Sequence, residues 1–209
     1  EIVDGDQTPL SQLFNATSDF SDRNKRWYDA FECQNLNRWD VNKASIDSNR
    51  TQTGRYSARL DAYSTSDYQL RISPTDSPIR PTKVEYVWQE TGNDCGSGIR
   101  LKNSNNTYEA GLSTDNPQWD IHDANGTEAD VNSAGYDEWT RFTMTFDWDA
   151  GTFDVDLEQP ATSTTYTDTG RPLTGGTDVE YVEFWDYSSS FGSTGCSGDT
   201  WIDYVDIHY

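Results

Sequence analysis

Apolar and polar positions alternate with a period of two through most of the chain, and no stretch carries the 3.6-residue stripe of an amphipathic helix. Tyr56-Ser-Ala-Arg-Leu-Asp-Ala62 and Asp67-Tyr-Gln-Leu-Arg-Ile72 both alternate in this way. The same period predicts strands over residues 83–89, 98–102, 107–112, 118–122, 179–187 and 201–209. The plainest hairpin runs from residue 138 to residue 158. Phe142, Met144, Phe146 and Trp148 form one inward row there, and Phe153, Val155 and Leu157 the other, with Asp149-Ala-Gly151 as the turn. About a dozen strands punctuated by Gly, Asn, Asp and Pro predict an all-β fold, two antiparallel sheets packed as a sandwich. Residues 1–26 differ: they are polar, contain Gly5 and Pro9, and never alternate. They are read as an N-terminal arm or linker whose Leu10, Leu13 and Phe14 dock on the sandwich or on a neighbour. Residues 27–209 then form the sandwich domain.

Charge narrows the setting. Thirty-six acidic residues against 15 basic ones give a formal net charge of −21. Such a surface repels a phosphate backbone, which excludes nucleic acid as a partner class. It also repels itself, and the Debye length of roughly 3 Å at molar salt screens that repulsion. Abundant Asp with only Lys25, Lys43, Lys83 and Lys102 therefore points to a high-salt environment. Eight Trp, twelve Tyr and eight Phe set the chain apart from disordered ones, which are poor in aromatics. No run approaches the roughly 20 apolar residues of a membrane span. The sequence starts at Glu1 without an apolar leader, as expected of a processed or excised piece. Asn-x-Thr sequons at Asn15, Asn49, Asn105 and Asn125 agree with an extracellular location. Cys95 and Cys196 sit in similar loop settings, Asp-Cys-Gly-Ser-Gly and Gly-Cys-Ser-Gly-Asp, and are the expected disulfide, worth about 4 kcal/mol for so long a loop. Cys33 is then expected to be a buried free thiol.

The order of short motifs carries a resemblance. Tyr28-Asp-Ala-Phe-Glu-Cys33 followed by Trp39-Asp-Val41 resembles the opening of carbohydrate-binding and laminin-G-like jelly rolls. Thr53-Gly-Arg-Tyr-Ser-Ala-Arg-Leu60 resembles their second strand, and Tyr136-Asp-Glu-Trp-Thr-Arg-Phe142 with Thr145-Phe-Asp-Trp148 their central hairpin. Trp201-Ile-Asp-Tyr-Val-Asp-Ile207 resembles their closing strand. Ser97-Gly-Ile-Arg-Leu101 and Asn116-Pro-Gln-Trp119 look like versions found in surface proteins of salt-loving archaea and their viruses. The resemblance covers residues 28–207 and implies a concanavalin A-like jelly-roll sandwich. In many such domains an early Glu and a late Asp bind a structural calcium. Matched by motif these are Glu32 and Asp203, with Asp29 a further candidate.

Strand alternation also sorts the candidate chemistry. Arg100, Glu109, Asp120, His122, Glu183 and Trp185 lie opposite the apolar rows of their strands and are the candidate ligand-binding residues. An aromatic ring among paired polar groups suits a sugar, whose C–H faces stack while its hydroxyls bond. The competing reading of these positions is an ordinary solvated sheet face. Trp88, Trp119 and Tyr187 fit either core or rim. Asp154, Asp156 and Glu158 share one strand face, as glycosidase carboxylates do at separations of roughly 5–10 Å, but they depart from the Glu-x-Asp-x-x-Glu strand of concanavalin-like hydrolases. They are read as a solvated face. His122 and His208 are the only histidines, and neither a strained Gly-x-Ser-x-Gly elbow nor a phosphate loop occurs. Three functions remain in view. The first is a non-catalytic, lectin-like extracellular domain of a halophilic surface or adhesion protein, its partner a cell-surface or polysaccharide glycan. The second is a structural module of a surface layer or virion that packs against copies of itself. The third is a glycoside hydrolase or lyase on the same fold.

Overall fold

The computed structural model describes residues 25–60, 68–74, 77–91, 96–115, 118–131, 137–186 and 199–209. In chain order the strands are β1 (Arg26–Asp29), β2 (Asp40–Val41), β3 (Ala44–Asp47), β4 (Ser57–Leu60), β5 (Leu70–Ile72), β6 (Lys83–Glu90), β7 (Ser97–Lys102) and β8 (Tyr108–Asp115). They continue with β9 (Gln118–Asp123), β10 (Gly126–Val131), β11 (Thr140–Asp147), β12 (Thr152–Gln159), β13 (Thr164–Pro172), β14 (Tyr181–Asp186) and β15 (Thr200–His208). One sheet runs β13-β12-β11-β6-β15-β4-β3, with β1 added on β15; the other runs β10-β9-β8-β7-β14-β5-β2. Every named pairing is antiparallel. The all-β sandwich expected from the sequence is what the chain forms. Among the described residues no helix is long and apolar enough to cross a membrane.

The core fills the space between the sheets with the rows that the alternation marks. On the eight-stranded side Tyr86, Trp88, Phe142, Met144, Val155 and Ile207 point inward, against Leu70, Leu101, Leu112, Ile121 and Phe184 of the seven-stranded side. Aromatic contacts tie the layers: Tyr86 stacks on Phe142 at 5.0 Å, and Phe142 lies 4.3 Å from Trp119, itself edge-on to Trp88. Trp88 and Trp119 are therefore core residues. Such offset and edge-to-face pairs contribute about 0.5–1.5 kcal/mol each beyond the area they bury. In the hairpin of β11 and β12 the expected rows point inward, and Asp147 Oδ1 accepts the N–H groups of Asp149 and Ala150 to close the turn. Trp148 ends the first row half-out, its indole N–H donating to Pro81 O at 2.7 Å.

Several strands carry no such signature. β13 is an edge strand whose Thr-rich sequence is mostly exposed, so no apolar row marks it. β1 begins at Arg26, and Tyr209 N–H donates to Lys25 O. The remainder of the arm lies outside the described residues. One edge of β15 is divided between two partners: Thr200, Trp201 and Ile202 pair with β4, while the stretch from Val205 to His208 pairs with β1. Asp203 sits in the gap, where the ladder to β6 also shifts register.

Candidate functional site

The outer face of the seven-stranded sheet gathers five of the six residues singled out above into transverse rows; Glu109 falls at a register shift between β7 and β8 and joins neither. Asp40, Arg71, Glu183, Arg100, Gly111 and His122 face one another in succession across six neighbouring strands. A second row runs Trp185, Gly98, Ser113, Asp120. Gly98 leaves room for the Trp185 indole: a Cβ there would lie 3.0 Å from Trp185 Cζ2 and 2.3 Å from the Leu112 carbonyl oxygen. Ser113 Oγ and His122 Nε2 are 2.6 Å apart. Burial lowers the His122 pKa, and the opposing charge of Asp123 only partly offsets it, so the imidazole is neutral at pH 7.

Most of these residues are shielded from solvent, unlike an ordinary solvated sheet face. Arg100 and Glu183 are only 4% and 1% exposed, and Glu109, Asp120 and Trp185 are buried too. The reason is mutual compensation. Glu183 Oε2 accepts from Arg100 Nε at 2.6 Å and lies 3.1 Å from Lys102 Nζ, while Arg71 Nη1 is 3.9 Å from Oε1. Glu109 is spent on the chain itself. It accepts from Asn103 Nδ2 at 2.7 Å and from the N–H groups of Gly175 and Gly176 at 2.8 Å each, tying that loop to β8. Tyr108 is 43% exposed, because a register shift between Leu101 and Lys102 turns it out. The half-exposed residues Tyr68, Arg71, Lys102 and Tyr181 join it on this face. Sequence reasoning missed these five, although Arg100 and Lys102, two of only 15 basic residues, stand two apart on one strand.

Glu32 and Asp203 are brought to a single loop. Glu32 Oε1 accepts the N–H groups of Arg55 and Tyr56 at 2.7 and 3.1 Å; Asp203 Oδ2 accepts from Thr53 N–H and Oγ1 at 2.7 and 2.8 Å. Gly54, at φ +67°, lets the loop pass, since a Cβ there would sit 2.1 Å from Glu32 Oε1. Two acceptors are left over: Asp203 Oδ1 and Gln52 Oε1 are buried without a hydrogen-bond partner. Burial, with the charge of Glu32 in support, raises the Asp203 pKa despite the donors around it. Hard, orphaned oxygens beside a carboxylate fit an oxygen-liganded cation such as calcium. Among the described residues no group of three His, Cys, Asp or Glu could hold a metal, so the shell has to draw on amide and carbonyl oxygens. Asp29 is not free to join, as its two oxygens hold Phe31 N–H and the Trp39 indole.

Cys33 is exposed rather than buried. Cys95, Cys196 and Tyr187 lie outside the described residues. Asp154, Asp156 and Glu158 line the outer face of β12, held by Gly170 N–H, Thr167 Oγ1 and Arg141. A cleft of about 230 Å³ opens beside the last two, lined also by Thr143, Thr165 and Tyr166.

No protein-family model matches the chain, and no curated protein does. Solved structures do. The basic winged bean lectin with Tn-antigen has a TM-score of 0.59 at 11% identity, covering 89% of this chain and 98% of the lectin. Lectin II from Ulex europaeus follows at 0.56 and 11%, over 88% and 98%. The fold is a concanavalin A-like jelly roll. A sialidase matches at 0.58 and 10% over 87% of this chain, which spans 18% of that longer one. At these identities the likeness concerns the fold, and the jelly roll's function has to be argued from its own site.

Proposed function

We propose that this jelly roll is a non-catalytic glycan-binding domain, displayed outside the cell in a high-salt environment. The observation that carries the proposal is the transverse row from Arg71 through Glu183 and Arg100 to His122. It places charged donors and acceptors in fixed positions, beside Trp185 and rimmed by the exposed Tyr108. Buried pairs such as Arg100–Glu183 hold the half-exposed groups at the spacing a sugar's hydroxyls need, and the exposed Tyr108 ring supplies the stacking surface. The lectins among the structural relatives make the fold a suitable carrier for such a site. The excess of acid over base supports the high-salt setting. The test is a glycan panel probed with the purified chain in molar NaCl with calcium. Saturable binding that weakens in Tyr108→Ala, with an unchanged circular-dichroism spectrum, is the expected result. Absence of binding across the panel overturns the proposal.

The same proposal includes a structural calcium, held by Asp203, Gln52 and Glu32. It supplies positive charge to two orphaned oxygens and fixes the loop of residues 52–56 against β15. Chelation at constant NaCl is expected to lower the melting temperature of the parent and to leave Asp203→Asn unchanged. A parent indifferent to chelation removes the ion from the proposal.

A further inference from the structure

One end of this face concentrates cations and phenols in a chain dominated by acid. The Arg71 guanidinium lies between the rings of Tyr68 and Tyr181, 4.1 and 4.8 Å from their centroids. Its Nη2 and the Tyr68 hydroxyl both bond Asp40 Oδ2, at 2.5 and 2.6 Å. Lys102 Nζ and the Arg100 guanidinium approach the third ring, Tyr108, at 5.6 and 5.7 Å, and Arg100 Nη1 donates to its hydroxyl at 2.9 Å. Three cations thus surround one buried carboxylate, Glu183, with Asp40 as the second acid in direct contact. Glu109, next along the chain from Tyr108, is committed to Asn103 and the Gly175–Gly176 turn. Among the described ion pairs of this cluster, three cations meet two carboxylates, on a chain whose formal charge is −21. A cation cluster on such a chain is a local attractor for one anionic group in an otherwise repulsive field.

We infer that this end of the face is the subsite for a carboxylated sugar, a uronic or nonulosonic acid residue within an otherwise neutral glycan. Lys102 and Arg71 meet the carboxylate, and the sugar ring stacks on Tyr108. At low ionic strength the global charge narrows the ligand class further: a polyanionic chain is repelled along its whole length, whereas a single carboxylate meets only the local cluster. The inference rests on the glycan-binding reading and specifies its ligand.

The test compares three probes on the unmutated protein by calorimetry at low and at molar NaCl: sialyllactose, its methyl ester, and lactose. Esterification removes the charge and alters nothing in the protein, so no question of misfolding enters. Sialyllactose is expected to bind at least about tenfold tighter than either neutral probe, a difference of about 1.4 kcal/mol. The gap closes in Lys102→Gln and persists in Lys102→Arg. Lactose or the ester binding as tightly as the acid overturns the inference and leaves the glycan reading standing. Polygalacturonate binding more tightly per residue than sialyllactose also overturns it, because an isolated charge is then not what the site selects. Failure of every probe here, with the panel above also silent, overturns the glycan reading itself.

Discussion

Arg100 faces Glu183 across β7 and β14, and Arg141 faces Glu158 across β11 and β12, each pair in direct register on the outer face of its sheet. The N–O distances are close, 2.6 and 3.0 Å. Solvent separates the two. The first pair's side chains are 5% and 2% exposed, the second's 39% and 49%. In the exposed pair water screens the attraction, and the net gain is a fraction of a kcal/mol. In the buried pair each ion has lost its hydration and depends on its partner, so the pair contributes little net stability while the loss of either member is severe. Identical residues in identical register thus act as a rigid foundation on one face and as solvated decoration on the other.

The largest expected effect breaks that comparison directly. Glu183→Gln removes the charge that Arg100 and Lys102 face and should cost about 3–5 kcal/mol in urea unfolding; a loss below about 1 kcal/mol would make the two pairs equivalent after all. Gly98→Ala comes next, at about 2 kcal/mol, because its Cβ would meet the Leu112 carbonyl oxygen at 2.3 Å. Thr143→Ala, on the outer face of the opposite sheet, should change unfolding by less than about 0.5 kcal/mol.

Two aspartates of β15 sharpen the contrast through pH. Asp203 has its pKa raised, chiefly by burial, so its favourable contribution is complete below the unfolded value near 3.8 and is lost as pH rises through the folded one. For Asp206 burial also acts upward, but hydrogen bonds and charge from Arg26 and His208 outweigh it. Its pKa is lowered, and its contribution is lost as pH falls through the folded value. In calcium-free buffer Asp203→Asn should therefore be more stable than the parent at pH 7, an advantage that vanishes in acid below 3.8. Asp206→Asn should show the opposite sign at pH 7. Unfolding curves taken across pH decide both. The smallest effect is Glu158→Gln, less than about 0.5 kcal/mol by the same measurement.

The strands that were legible in the sequence are those with one face in the core. β6, β11, β12, β14 and β15 each carry an apolar row, and each appears where the alternation puts it. β13 and β2 offer no such row, being an exposed edge and a two-residue bridge, and only pairing with β12 and β5 defines them. Alternation likewise gave the side of the sheet on which Arg100, Glu183 and Trp185 lie. It was silent on their burial, which depends on what packs over a face from elsewhere in the chain. The grouping of Tyr68, Arg71, Lys102, Tyr108 and Tyr181 was beyond it for a related reason. These residues meet through the non-local order β5-β14-β7-β8 and one register shift at Lys102.

The antiparallel pairing of β1 with β15 sets Arg26 against His208, so residues 25 and 209 leave the sheet side by side. Tension applied between those two points would open the ladder like a zipper, one rung after another, rather than loading its hydrogen bonds together in shear. The corner would yield at low force. Both points lie in the eight-stranded sheet, so the load bypasses the seven-stranded one. A copy stretched at these two points would yield at its base while the outer face of the seven-stranded sheet kept its shape.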